Sequence, residues 1–265
     1  MKRFRIILLL ITIFSLGGAS YDLYDYYSSP KLREPYLSNK GNDTIDIAYI
    51  GDSWAFFHNE HNCMMAKLLE DSIHRPIKVY SMGICGLTSK EIYESIFEDI
   101  DLRNFFRQRK YDYCFVSAGI NDTYKKMSAA YYQKSMEGII QFLLANNIRP
   151  IILEIPDYAI LKTYKNQKIE KKLLRRLSMF INSTGIDCKQ DFRNALNELI
   201  KKKDFNDSVS IIRYKTWNNN FDKDIKSLYL KDGMHLNEYG YNVLDSAIAE
   251  EIKHNLSISH ARKYH

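Results

Sequence analysis

The chain lacks a disulfide staple, a phosphate loop and a metal-ligand array. Its four cysteines, Cys63, Cys85, Cys114 and Cys188, are widely spaced and form no staple pattern. Cys114 lies in the apolar run Tyr113-Cys-Phe-Val116, and the four read as buried free thiols. No Gly-x-x-x-x-Gly-Lys-Ser/Thr loop is present, so nothing points to a nucleotide phosphate. Metal-ligand residue types crowd together at His58-Asn-Glu60-His61-Asn-Cys63. Their spacing is not His-Glu-x-x-His and no second cluster answers them, so the segment reads as a solvated helical face and no metal is expected. Charge of one sign is not in excess. The net value of +6 falls to +3 without Lys2, Arg3 and Arg5, too mild to argue for nucleic acid. No internal repeat is visible.

A long hydrophobic run is also missing. The uncharged stretch Ile6 to Tyr21 has 16 residues, short of the roughly 20 that a spanning helix needs. It follows the basic start Met1-Lys-Arg-Phe-Arg5 and is closed by the small residues Gly17-Gly-Ala19, the layout of a secretory signal. No cysteine follows the run, so a lipoprotein anchor is not expected. Residues 1–19 are expected to be a signal peptide or an N-terminal membrane anchor acting through residues 6–19. Export to the periplasm or cell envelope follows, with the anchored form at the inner membrane. Residues 20–44 read as a linker or packed arm, 45–253 as a single domain and 254–265 as a polar tail.

Within the domain, strand patterns alternate with helical ones. Strands are predicted at Ile45–Ile50, Ile77–Ser81, Tyr113–Ser117, Pro150–Ile155 and near Ser208–Ile212. Helices are predicted over His58–Ser72, Ser89–Phe97, Ser128–Asn146, Lys165–Ser183, Asp191–Lys202 and Asn237–Ile252. The Lys-rich stretch from Lys162 to Arg176 reads as an amphipathic helix with a charged outer face, its apolar side carried by Leu173, Leu174, Leu177 and Phe180. Alternation of this kind gives a mainly parallel sheet, and right-handed crossovers then build a three-layer α/β/α sandwich.

Two short strings stand about 180 residues apart, Gly51-Asp52-Ser53 and Asp232-Gly-Met-His235. A serine hydroxyl is a poor nucleophile at neutral pH, so a base must take its proton as it attacks. Histidine suits that role because its pKa lies near working pH. A carboxylate on the other ring nitrogen fixes the tautomer and stabilises the imidazolium. Asp232 stands three residues before His235, so one turn can hold both. Attack on an ester carbonyl builds an oxyanion that fixed donors must meet. The candidates are the N–H of Ser53, the N–H of Gly86 in Met82-Gly-Ile-Cys-Gly86-Leu-Thr-Ser89, and the side-chain amide of Asn121 in Gly119-Ile-Asn121-Asp122.

In this order the set resembles the SGNH hydrolases, also called the GDSL esterase/lipase family, over roughly Asp46 to Ile252. The family's Ser, Gly, Asn and His map onto Ser53, Gly86, Asn121 and His235. The resemblance implies a flavodoxin-like sheet that gathers Ser53, Gly86 and Asn121 from successive strand ends, with His235 arriving from the loop before the last helix. It implies acyl esters as substrates, O-acetylated glycans among them, and no cofactor. Two positions depart from the family's usual pattern: Trp54 follows the serine, and Tyr80-Ser81 stands where many members have Asn before the glycines. Trp54 either shapes the acyl pocket or belongs to the core. Gly83 and Gly86 are both donor candidates, and Gly86 is preferred because it leads into the next helical segment. The expectation is an exported serine esterase. An O-acyltransferase on the same residues and a non-catalytic carbohydrate-binding protein on the same fold are the rivals.

Overall fold

The computed structural model describes residues 18–36 and 44–263. Residues 1–17, on which most of the signal or anchor expectation falls, lie outside the described residues. No helix among the described residues is long and apolar enough to cross a membrane.

Five strands, β1 (Ile45–Gly51), β2 (Ile77–Gly83), β3 (Tyr113–Ser117), β4 (Arg149–Leu153) and β5 (Ser210–Ile212), form one sheet. All neighbours are parallel, in the order β2-β1-β3-β4-β5. Parallel strands buried on both faces read as continuous apolar runs rather than as alternation. In β1 all seven residues are buried. Alternate residues face opposite layers: Ala48 and Ile50 join one core cluster with Cys114, Val116 and Ile152. Ile47 and Tyr49 join the other with Phe115, Ile151 and Leu153.

A helix of residues 18–27, here α1, precedes the sheet. The remaining helices are α2 (Ser53–His58), α3 (Asn62–Ile73), α4 (Ser89–Glu98), α5 (Ile100–Gln108), α6 (Ile120–Lys125), α7 (Ala129–Ala145), α8 (Ile160–Lys165), α9 (Ile169–Asn182), α10 (Lys189–Lys202), α11 (Tyr214–Trp217), α12 (Phe221–Ser227) and α13 (Glu238–Lys263). Residues of α4, α5, α7 and α10 close the first core, and residues of α2, α3 and α13 the second. Local chemistry sets several starts. Thr88 and Glu91 make a full capping box on α4, and Asp99 accepts from the N–H groups of Asp101 and Leu102 to open α5.

Helix α1 and the segment after it pack on the domain, in line with the arm among the two readings given to residues 20–44: Tyr27 Oη meets Ser178 Oγ at 2.6 Å, and Tyr36 Oη donates to Ile96 O at 3.0 Å. Sequence and structure differ in other, instructive places. Helix α13 continues to Lys263, through the stretch expected as a tail. Of the four thiols, all free, Cys63 and Cys85 are exposed. His58 is not on a solvated face. Its ring is fully buried, with Nε2 2.6 Å from Asp245 Oδ1 on α13 and the ring against Tyr49. The partner lies far along the chain, where a local pattern carries no sign of it. The apolar side of α9 is likewise not inward. Leu173, Leu174 and Phe180 are exposed, because α9 meets α1 through the buried Ser178 rather than through that stripe.

Candidate active site

The register brings three strand ends level. Gly51 pairs with Gly83 on one side and with Ser117 on the other. The order β2-β1-β3 makes this the place where successive connections leave in opposite directions, and open α/β sheets bind ligands there. Immediately beyond Gly51, Asp52 caps α2 by accepting the N–H of Trp54 at 3.0 Å, which sets Ser53 as the first helical residue.

Ser53 Oγ lies 3.0 Å from His235 Nε2, and His235 Nδ1 lies 2.7 Å from Asp232 Oδ2. The second oxygen of Asp232 accepts the backbone N–H groups of Met234 and His235 at 2.9 and 3.1 Å. This tight turn requires Gly233, which has φ +68 and leaves no room for a Cβ beside Ala159. An antiparallel bridge between Tyr229 and Leu236 ties the loop down, and Asn237 Oδ1 accepts from Gly240 N at the start of α13. Burial raises the pKa of Asp232, but hydrogen bonds from the His235 ring and from the two backbone donors outweigh it and hold the carboxyl below its ordinary range. Asp232 is therefore ionised and orients Nδ1–H, leaving Nε2 to accept the serine proton.

The serine opens into a groove of about 400 Å³ lined by Ser53, Phe57, Gly86, Asn121, Met234 and His235 among others. Gly86 has φ +83, and a Cβ there would meet nothing within 4 Å. Gly83 differs: a Cβ there would come within 2.1 Å of Phe56 N and 2.4 Å of Asp52 O. Gly83 lets α2 lie against β2, whereas Gly86 lines the groove. Trp54 is fully buried against Trp217 and Tyr229 and belongs to the core. Phe57 instead flanks the His235 ring, edge to face at 5.5 Å.

Two further residues escaped the sequence reading. Asp52, given no role of its own in the sequence, accepts the Asn121 amide through Oδ2 at 3.1 Å. An amide nitrogen carries two hydrogens, so the other stays available to the groove. Asp122 accepts both the N–H and the hydroxyl of Ser89, at 2.8 and 2.5 Å, joining the starts of α6 and α4 behind the site. Both aspartates are fully buried. Desolvation lifts Asp52 to about 7, with the nearby Asp122 adding to it, and lifts Asp122 to about 6. The Asp in Gly-Asp-Ser and the Asp after Asn121 were visible in the sequence, but their partners were not. Among the described residues no three His, Cys, Asp or Glu side chains gather as a metal site.

Comparison with known proteins gives a family and a fold. The model of the GDSL-like lipase/acylhydrolase family matches residues 49–243. A curated relative, the N-acylneuraminate cytidylyltransferase of Escherichia coli O18:K1:H7 (strain RS218 / NMEC), is 28% identical over 236 residues. The match covers 86% of this chain and 45% of that protein, so the chain spans less than half of the relative's length. Among solved structures, a lipase/acylhydrolase from Enterococcus faecalis superposes with a TM-score of 0.54 at 16% identity, over 79% of this chain and 95% of that one. An acetyl-xylooligosaccharide esterase from Geobacillus, in a mutant form, gives 0.52 at 16% identity, over 83% and 96%. At these identities the two structures show a shared fold.

Proposed function

This chain belongs to the GDSL-like lipase/acylhydrolase family and is an ester hydrolase, and on that premise we propose that it is an exported serine esterase that removes acyl groups, chiefly O-acetyl groups, from sugars. The observation that carries the reading is the hydrogen-bonded line Ser53–His235–Asp232 opening into a groove that Gly86 and Asn121 also line.

In this mechanism Ser53 Oγ attacks the acyl carbonyl carbon while its proton passes to His235 Nε2. The carbonyl oxygen becomes an oxyanion that the Ser53 and Gly86 N–H groups and the Asn121 amide meet. The imidazolium, balanced by Asp232, gives its proton to the departing sugar alkoxide, leaving an acyl-serine. Water, deprotonated by His235, attacks the acyl carbon, and the second collapse frees the acid and restores the hydroxyl. His235 and Asp232 keep 24% and 48% of their side-chain surface open, so water reaches the base directly, which favours hydrolysis over transfer.

The sugar assignment draws on two names. The curated relative acts on an N-acylneuraminate and one fold neighbour on acetylated xylooligosaccharides. The test is acetate release from an O-acetylated N-acylneuraminate and from acetylated xylooligosaccharide, with and without added acceptor sugar. Ser53→Ala should abolish release, and turnover of p-nitrophenyl acetate with it, while leaving the fold intact. Near-normal turnover by that variant would remove Ser53 as nucleophile, and acetyl transfer to the acceptor in place of acetate would make the protein a transferase. Export rests on the sequence of residues 1–19. A fusion of residues 1–44 to a reporter that works only outside the cytoplasm should be active, and the mass of the mature chain separates cleavage after Ala19 from a retained anchor.

A further inference from the structure

A second hollow, of about 430 Å³, adjoins the serine groove. Tyr124, Thr163 and Asp232 line both, so the two form one cleft running past the triad. The second hollow carries Lys162 from α8, Lys168 and Lys171 from the start of α9, and Lys231 from the loop before Asp232. Asp232 is the one acidic residue in that lining, and its carboxylate is engaged by His235. Among the described residues none of the four lysines has a carboxylate within ion-pair distance.

Four like charges around one hollow repel one another, and a bound anion relieves that repulsion. The backbone adds to the field. Lys168 caps α9 without any side-chain hydrogen bond, so the first-turn N–H groups of that 14-residue helix contribute partial positive charge at the same place. Glu170 lies in that first turn but is exposed and outside the lining. The rest of the lining is polar: Thr163, Asn166 and Gln167 offer donors and acceptors of the kind that sugar hydroxyls use. Tyr124, backed by Arg175 at 5.1 Å, offers a ring for a sugar face. No Leu, Ile, Val, Met or Phe side chain lines the hollow.

We propose that this hollow is an anion subsite that takes the carboxylate of an acidic sugar, and that the ester cleaved at Ser53 is carried on that sugar or on its immediate neighbour. The proposal rests on the esterase reading of Ser53 and narrows its substrate class from acylated sugars to acidic ones.

The experiment uses the full chain and a matched pair of substrates, an O-acetylated N-acylneuraminate and its neutral carboxamide. The expected result is a kcat/KM preference for the acid of roughly tenfold or more, arising in KM and shrinking at high salt, the scale that a few exposed ion pairs supply. Replacing Lys162, Lys168, Lys171 and Lys231 together by Gln should remove the preference, and replacing them by Arg should retain it. No preference in the natural chain, or one that survives the Gln variant, overturns the proposal. A stronger preference for an acetylated sugar phosphate overturns the carboxylate assignment. Lysine-dependent binding to anionic lipid vesicles with no substrate preference overturns it in favour of a membrane surface. A titration of the deacetylated acid into the Ser53→Ala chain needs no chemistry. Lysine-dependent heat there, alongside absent p-nitrophenyl acetate turnover by the natural chain, would sink the esterase reading and leave the subsite standing.

Discussion

Asn121 donates its side-chain amide to Oδ2 of Asp52 at 3.1 Å, while Oδ1 of the same carboxyl accepts the N–H of Trp54 at 3.0 Å. The residue before the proposed nucleophile thus holds both the start of α2 and one of the proposed oxyanion donors. Asn121→Ala is expected to lower kcat by about 10²–10³ with a smaller change in KM, the usual result of losing one such donor. Asp52→Ala frees the amide without removing it, so its kcat loss should be smaller, with about 1 kcal/mol of stability lost with the helix cap. The double variant should be little worse in kcat than Asn121→Ala, because Asp52 acts through Asn121. Kinetics on one ester for the three variants check this, and independent, additive losses would detach Asp52 from the donor.

The same carboxyl gives stability a pH dependence with a definite sign. Asp52 and Asp122 titrate near 3.8 when unfolded and near 7 and 6 when folded. Between those values the native chain holds protons that the unfolded chain releases, so stability declines as pH rises through that window. Asp232 works the other way, its stabilisation being lost as pH falls toward and below the ordinary aspartate value. Urea unfolding from about pH 4 to pH 8 should show the decline. Asp122→Asn, which can still accept from Ser89 N and donate to the hydroxyl, should flatten its lower part. An unchanged slope in that variant would mean Asp122 is ionised throughout.

Gly83, at the end of β2, and Gly86, beyond it, should respond differently to the same methyl group. At Gly83 the added carbon meets the backbone of Phe56 and Asp52, which cannot step aside, so Gly83→Ala should lower Tm steeply or prevent folding. At Gly86 the space is open and the strain is that of φ +83 alone, about 1–2 kcal/mol. Gly86→Ala should therefore fold and lose kcat through a misdirected N–H. Thermal melts and ester kinetics on both variants decide it, and a Gly86→Ala enzyme with full kcat would return the donor role to another group.

Asp232 and His235 should fail as a unit. Asp232→Asn is expected to cut acylation by orders of magnitude yet leave some activity, and His235→Ala should fall at least as far. The double variant should be close to His235→Ala, since groups acting through one proton transfer are not additive. Multiplicative losses would mean that the 2.7 Å contact between them carries no part of the chemistry.

Much of the site was legible because its residues are locally announced. Gly51-Asp52-Ser53 ends an apolar strand, and Asp232 reaches His235 within one turn, so local pattern together with the family resemblance singled them out. The strand centres were legible for the same reason: Tyr113–Ser117 has the same bounds in sequence and structure. Contacts between distant segments were not legible. His58 looked like a surface residue because Asp245, its partner, is 187 positions away. Helix α5 was missed although Asp99 marks its start, since the turn from α4 leaves one residue between the two patterns. The outward apolar side of α9 was hidden as well. Periodicity gives the stripe but not the layer it faces.

The buried pair His58–Asp245 fastens the helix that begins with Ser53 to the last helix of the chain. Synthesis runs from one to the other. Before the segment from Trp217 to Asp245 is made, the nascent polypeptide has Trp54 and His58 without partners that cover them, and it has the proposed nucleophile with no base. The proposed catalytic line is therefore complete only once the loop before α13 has been made and α13 has docked against α3 and β5. A product truncated before Asp232 lacks both proposed partners of Ser53 and is expected to be inert on esters however well its five strands associate.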